Sequence, residues 1–430
     1  MADAARSVCV LAHSHPDFSK GGGEMAAHRE FAALRAAGRR AVFVGACETG
    51  TAYAAQRPIA LVMPHAEDDH VFSFAGMAED RLAWDDAWQR RLLVEFLAGL
   101  GTDVYHLHHY WRIGVDLIHD LMAARPDASF VITLHEMLAI CLHHGQMMKT
   151  RSRELCRRES PLACLACFPD QTLDRFALRK ATLLSVLRRF DHIVYPSAFV
   201  RDRYEAWGLG GRPASVIENY LGDDLLAEPR RAGDPHRLAP RFGFFGQPTP
   251  YKGLDVLLRA LPLALRENPA LTLTVFGADR EDVLRLFPML EPQIEAAGAN
   301  LSFAGRYDAM DAVALMRGVG WVVVPSVWWE NSPVVIQEAR RAGTPLIVSG
   351  IGGMAEKAEA GVDALHFDRG SPVDLARAML EAADPATRAR FGASLRDVPG
   401  REAFLHALDH AFAPVARPAV PAVPRAEAAE

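Results

Sequence analysis

The chain has no surplus of positive charge. It carries 47 Lys and Arg against 53 Asp and Glu in 430 residues, a formal net charge of −6. Nothing is left over to neutralise a phosphate backbone, which excludes a nucleic-acid-binding role. The sequence also lacks any apolar run long enough to span a bilayer. Its start, Met1 to Arg6, runs straight into the strand-like Val8–Ala12, too brief for the apolar core of a signal peptide. A cytoplasmic location is therefore expected. Only six cysteines occur, and a reducing compartment would keep them as thiols. There is no short tandem repeat. No loop has the spacing of a P-loop or of a GxGxxG fingerprint.

What is present is size and alternation. A chain of 430 residues, 50% hydrophobic and 23% charged, is a globular composition too long for one core, so two domains are expected. The second half alternates regularly. Strand-like Phe242–Gly246, Leu271–Gly277, Leu301–Ala304, Trp321–Pro325, Pro345–Ser349 and Ala364–Phe367 are separated by helical Leu254–Arg266, Glu281–Ala297, Ala309–Arg317, Pro333–Ala342 and Met354–Ala360, with Pro372–Ala383 after the last. Short apolar runs without polar alternation indicate strands covered on both faces, hence an α/β fold with a parallel, doubly wound sheet. The first half repeats the pattern less cleanly. Strands are expected at Val8–Ala12, Arg40–Val44, Val104–Leu107, Phe130–Leu134, Asp191–Tyr195 and Ala214–Ile217, and helices at Glu24–Ala37, Ala83–Leu100 and Val115–Ala124. The expected division is a first Rossmann-like domain over 1–235, a second over 236–413 and a disordered tail over 414–430. The Pro-, Arg-, Gly- and Asp-rich stretch 227–240 has the composition of a linker.

Ligands of such sheets bind beyond the carboxyl ends of the strands, and the candidate functional residues fall in those loops. After the first strand, Gly21, Gly22 and Gly23 precede a helix, so backbone and dipole can approach a ligand closely. Lys252, after the strand Phe242–Gly246, can meet a pyrophosphate as a compact point charge. The segment Pro325-Ser-Val-Trp-Trp-Glu330-Asn-Ser-Pro-Val-Val-Ile-Gln-Glu338 reads as strand end, loop carboxylate, helix start and second carboxylate. Ser332 is the expected N-cap and Pro333 the first helical residue. Free amides at that helix start can donate to phosphate or hydroxyl oxygens. Each element alone is weak: a lone lysine is usually a solvated one, a histidine at a strand end often a core residue, and a glycine run often a turn.

Two further features stand apart. Cys141, Cys156, Cys164 and Cys167 cluster in an insertion at about 136–172 and end in Cys-Leu-Ala-Cys. Four thiols at such spacing can form a tetrahedral site, with zinc as the usual occupant; the bland reading is small buried thiols or a labile disulfide. The stretch 175–190 has cations and apolar residues on different helical faces. It reads as an ordinary core helix with a basic face, the rival being peripheral contact with the inner face of a membrane.

Taken together and in order, Gly21-Gly22-Gly23, Asp103-Val-Tyr-His-Leu-His108-His109, Ile132-Thr-Leu-His135-Glu136, Phe244-Phe-Gly-Gln247-Pro-Thr-Pro-Tyr-Lys252-Gly253 and Glu330-x7-Glu338 resemble the family 4 retaining glycosyltransferases of the GT-B fold over nearly the whole chain. The resemblance implies transfer of a hexose-like sugar from a nucleoside-diphosphate sugar to an acceptor hydroxyl, on a glycan or lipid-linked acceptor, in cell-surface or exopolysaccharide assembly. It implies no cofactor required for catalysis, leaving zinc as a structural expectation only. Catalytic roles would fall to His135, Lys252 and Glu330. Donor binding would fall to Gly21, Gly22, Gly23, Gln247, Lys252, Glu330, Asn331, Ser332 and Val334, with Glu338 accepting from the ribose. One position departs: Gln247 stands where the family usually has Arg, which removes a cation from the diphosphate site. That departure keeps open a non-catalytic nucleotide-sugar-binding subunit; an epimerase on the same scaffold is the other alternative.

Overall fold

The computed structural model describes residues 6–19, 21–48, 61–74, 77–78, 82–227 and 238–414. Its strands in chain order are β1 (Val8–Ala12), β2 (Ala41–Glu48), β3 (Val62–Ala66), β4 (Asp69–Phe74), β5 (Met77–Ala78), β6 (Ala83–Trp84), β7 (Val104–Leu107), β8 (Ser129–Thr133), β9 (His192–Tyr195), β10 (Ala214–Val216), β11 (Arg241–Phe245), β12 (Thr272–Phe276), β13 (Leu301–Gly305), β14 (Trp321–Val324), β15 (Leu346–Ser349) and β16 (Ala364–Phe367). The first sheet has the order β10-β9-β8-β7-β1-β2-β4-β3 and the second β13-β12-β11-β14-β15-β16. All pairs in both are parallel except β3 with β4. Each sheet reverses its winding beside its first strand: β1 lies between β7 and β2, and β11 between β12 and β14. Those switch points decide where a ligand can enter, because the loops leaving neighbouring strands there diverge. The loops after β1, β7, β8, β11 and β14 are the ones that carry the candidate residues.

The central strands are uniformly buried because helices cover both faces. One departure changes the domain division. The helix Arg401–Phe412 packs Phe404, Leu405, Leu408, Ala411 and Phe412 with Val8, Val10 and Phe31 of the first domain. The expected second domain, 236–413, thus gives its last helix to the first sheet, since that helix carries an apolar stripe matching the face left open by β1.

Smaller departures have local causes. The expected helix Glu281–Ala297 is two helices, Arg280–Leu286 and Glu291–Ala297, joined through a tight turn Pro288–Leu290, because proline cannot supply the amide that a continuous helix needs there. Strands β3 and β4 were not expected; they form a hairpin closed by Glu67 and Asp68, with Asp68 at φ 55°. The glycine run is partly helical, the first helix being Gly22–Ala36 with Gly21 as its cap. The expected tail, from 415 on, and most of the expected linker, 228–237, lie outside the described residues.

Candidate active site between the two sheets

Gly253 sets the geometry of the second domain's share. It adopts φ +69°, and a Cβ there would lie 1.9 Å from the carbonyl oxygen of Pro325. Only glycine lets the loop after β11 lie directly on the loop after β14. That contact brings Lys252 Nζ within 2.7 Å of Glu330 Oε1. The same oxygen accepts from Ser326 Oγ at 2.8 Å and from Trp328 Nε1 at 3.0 Å. Burial by itself would raise the pKa of Glu330. Lys252 and the two neutral donors outweigh it and hold the carboxyl below its ordinary value. Glu330 is therefore a buried carboxylate with a single cation beside it.

Its backbone is gripped from the next loop. Gly353 N–H donates to the Glu330 carbonyl at 2.8 Å, and a Cβ on Gly353 would meet the Asn331 carbonyl oxygen at 2.1 Å. Sequence reading missed this glycine. Its signal was the Gly352-Gly353 pair directly after a strand, the same signal that drew attention to Gly21–Gly23.

The helix Val334–Ala342 opens at this point, one residue later than expected. Pro333 is in the cap position with an extended backbone, and no side chain caps the helix. Ser332 is thereby displaced from the capping role. Its Oγ is buried without a hydrogen-bond partner, as are Asn331 Oδ1, His135 Nδ1 and His13 Nδ1. All four residues line one cleft. Buried polar atoms are normally satisfied, so four unpaired ones in residues that line a single cleft are notable.

The first domain contributes a chain of histidines. Glu30, on the helix Gly22–Ala36, accepts from His106 at 2.6 Å and His108 at 3.1 Å. His108 Nδ1 lies 2.9 Å from His135 Nε2. Burial opposes ionisation of Glu30, but the two imidazoles overcome it and bring its pKa down to about 2. His135 is pushed well below the ordinary histidine value, chiefly by burial and then by its neighbours His108 and His109. It is neutral at physiological pH and reaches the cleft as an uncharged ring. Asn331 Nδ2 donates to the His135 carbonyl at 2.9 Å, tying the two domains together across the cleft.

Residues of both domains enclose a volume of about 1040 Å³, enough for a nucleotide sugar and part of an acceptor. The cleft brings together Gly22, Gly23, His135, Lys252, Glu330, Asn331, Ser332 and Val334 from the residues expected to act. Gly21, Gln247 and Glu338 do not line it. Gln247 is exposed. Glu338 sits one helical turn deeper, half-buried, facing Arg29 from the first domain; burial pushes its pKa up to about 7, with Arg29 acting in the opposite direction. Near its end of the helix, Phe245 stacks on Phe276 at 4.4 Å, and Tyr307 meets both edge-on.

Glu24, not singled out in the sequence, lines the cleft at the first helix N-terminus. It accepts from Ser19 Oγ at 2.8 Å and pairs with His13 at 3.3 Å. The basic helix is Leu173–Leu187. Its apolar side, including Phe176, Leu183 and Leu187, is buried, while Arg175 and Arg179 point into the cleft. Arg179 donates to the carbonyls of Leu138 and Ala139, both at 2.6 Å. Among the described residues no helix is long and apolar enough to cross a membrane.

The family model "Glycosyltransferase Family 4" matches residues 20–221, and "Glycosyl transferases group 1" matches residues 239–384. A glycogen synthase of Mycobacterium tuberculosis is 26% identical over 401 residues, covering 89% of this chain and 87% of that protein. A phosphatidyl-myo-inositol mannosyltransferase of Mycobacterium leprae is 28% identical over 195 residues, 44% of this chain and 49% of that protein. Among solved structures, a sucrose-phosphate synthase from Thermosynechococcus elongatus superposes with TM-score 0.63 at 18% identity, covering 95% of each chain. HepE of Anabaena, solved in complex with UDP-glucose, superposes with TM-score 0.60 at 16% identity, covering 95% of this chain and 96% of that one. The structural likenesses establish the fold, two Rossmann-like domains facing a cleft. The two family models between them span most of the chain, and the chain belongs to glycosyltransferase family 4, as an enzyme of the GT-B fold.

Proposed function

We propose that the chain transfers a hexose-like sugar from a nucleoside-diphosphate sugar to an acceptor hydroxyl with retention at the anomeric carbon, in the assembly of a polysaccharide or other glycan. The observation that carries this reading is the Lys252–Glu330 pair at the start of the helix Val334–Ala342. A cation, free helix amides and a carboxylate lie within one ligand length of each other. Lys252 and the amides suit the departing diphosphate, where charge develops; Glu330, Asn331 and Ser332 suit sugar hydroxyls. Glu338, one turn along, suits the ribose, and the Phe245, Phe276 and Tyr307 cluster suits the face of a base.

Among the described residues, the carboxylates lining the cleft are Glu24, Glu136 and Glu330. Each already has partners: Glu24 with His13 and Ser19, Glu136 with His109 at 3.0 Å, Glu330 with Lys252. That supports a reaction on one face of the sugar over a protein nucleophile. The bond from the anomeric carbon to the phosphate oxygen breaks, the bond to the acceptor oxygen forms on the same face, and the acceptor proton passes to the departing diphosphate. Neutral His135 lies beside that centre as a hydrogen-bonding ring. The acceptor would enter along the wall bearing Trp111, Leu142, His144, Phe168 and Arg175, a mixed aromatic and cationic surface suited to a glycan, including one carried on a lipid diphosphate.

The test is turnover of UDP-, GDP- and ADP-sugars with a panel of glycan and lipid-linked acceptors, with the product anomer read by NMR. One donor yielding product of the donor's own anomeric configuration is expected. An inverted product would overturn the retaining assignment.

A further inference from the structure

We propose that Cys141, Cys156, Cys164 and Cys167 bind one zinc ion, which pins the insertion forming the first domain's wall of the cleft. All four are free thiols and line one small cavity, separate from the cleft, of about 30 Å³. That space suits a single ion or water and is too small for an organic ligand. The thiols come from three pieces of chain. Cys141 precedes a tight turn, Cys156 follows the bridge between Met148 and Leu155, and Cys164 and Cys167 share a face of the helix Pro161–Cys167.

The turn after Cys141 is unusual. His144, Gly145 and Met147 all have positive φ, at 48°, 72° and 45°, an uncommon conformation for the two non-glycine residues. It wraps the backbone around the sulfur: burial pushes the free Cys141 thiol up to about 11, and the amides of His143 and Met147 act in the opposite direction, favouring the thiolate. Such donors stabilise a thiolate ligand. Charge fits as well. A zinc ion binding four thiols releases four protons and leaves a centre of net charge −2. Lys149, Arg179 and Lys180 line the cavity with Glu159 as the one carboxylate, three cations less one anion, or +2.

The segment also needs a staple. The helix Pro161–Cys167 buries none of its side chains, and Leu162 is 74% exposed. Met137, Ala139, Ile140, Met147 and Met148 anchor the start of the insertion in the core, but from 149 to 167 no side chain is fully buried, and apolar packing alone holds that stretch weakly. The sulfurs are not yet at tetrahedral spacing: among the described residues, the groups with ligand atoms within 4.8 Å of one another are built on His15, Glu30 and their neighbours, and include no thiol. Closure requires side-chain rotation around the cavity. The consequence for the cleft is direct. Leu142 and Phe168, adjacent to Cys141 and Cys167, line it, and Trp329 Nε1 donates to the Cys156 carbonyl at 3.1 Å, beside Glu330.

The full chain, purified without added metal, is analysed by elemental mass spectrometry and by thiol titration before and after treatment with a zinc chelator. About one zinc per chain is expected, with the four clustered thiols reactive only after chelation. Replacement by cobalt(II) is expected to give a thiolate-to-metal charge-transfer band. Hydrogen exchange at amides of 136–172 is expected to speed at least tenfold on chelation, with β11 and β14 unchanged. The Cys164→Ser/Cys167→Ser variant, altered on a helix with no fully buried side chain, is expected to fold without zinc. None of these readouts depends on donor, acceptor or turnover. A chain that binds neither zinc nor cobalt, with clustered thiols freely reactive or joined in disulfides, overturns the proposal. So does zinc retained at full stoichiometry by the double variant.

Discussion

The two walls of the cleft are built on different principles. The second domain's wall is made by close backbone approach: Gly253 against Pro325 and Gly353 against Asn331 bring one cation and one carboxylate together. The first domain's wall carries a chain of imidazoles that starts on buried Glu30 and ends in neutral His135, with the charged Glu24, Arg175 and Arg179 elsewhere along the cleft. In the proposed reaction the first arrangement would place charge where the diphosphate departs. In the proposed reaction the second would offer an uncharged hydrogen-bonding ring beside the reacting carbon. Transfer to a neutral hydroxyl needs both, since a cationic ring beside an oxocarbenium-like centre would oppose the reaction.

Substitutions on the two walls separate these roles. Lys252→Ala and Glu330→Ala are expected to have the largest effect, each lowering turnover by about 100- to 1,000-fold, measured as nucleoside-diphosphate release with the preferred donor. Losses below tenfold in both would move the chemistry away from this pair. Gly253→Ala comes next. Its Cβ cannot fit against Pro325, so the loop must shift, lowering stability by ~1–3 kcal/mol and costing activity to a degree close to Lys252→Ala. Thermal unfolding and turnover check the two effects together; an active variant of unchanged melting temperature would refute the close-approach account.

On the other wall, Glu30→Gln is expected to cost ~1–3 kcal/mol at neutral pH. Because the Glu30 pKa falls to about 2 from an ordinary 4.5, its stabilisation is present above pH 4.5 and is lost as pH falls toward 2. Denaturant unfolding should show native and variant stabilities converging over that window. Glu338 has the opposite sign and the smallest effect. Its pKa is raised from 4.5 to about 7, so the stability linked to it is present below pH 4.5 and lost as pH rises through 7. Partial exposure to solvent and the opposing charge of Arg29 limit this to ~1 kcal/mol. Glu338→Gln should flatten that slope, and a native chain already flat between pH 4.5 and 7.5 would contradict it.

Most of the second domain was legible because buried parallel strands are continuous apolar runs, which mark their own ends. The first was less so. The hairpin β3–β4 hid in a mixed sequence at a sheet edge, where one face is less covered and the pattern weaker. The destination of the helix Arg401–Phe412 could not be read at all, since its stripe does not say which sheet it meets. At the site, Lys252 and Glu330 were found because strand–loop–helix order locates them, and His135 because the family resemblance implies it. Glu24 was not, because an acidic residue in a helix's first turn is common and does not by itself mark a site; Gly353 was not, because its role comes from contact with the separate loop holding Glu330 and Asn331. Ser332 misled for a local reason: a Ser-Pro pair reads as cap and first helical residue, yet here the proline takes the cap and leaves the serine hydroxyl buried without a partner.

The central claim is that the Lys252–Glu330 pair grips a nucleoside-diphosphate sugar. Calorimetric titration of the native chain and of Lys252→Ala with UDP-, GDP- and ADP-sugars tests it without requiring an acceptor. The account predicts that one donor binds the native chain and that the variant binds it at least ~10-fold more weakly, the loss of one charge-assisted contact. Equal affinity in native and variant, or binding of no donor by the native chain, would contradict it.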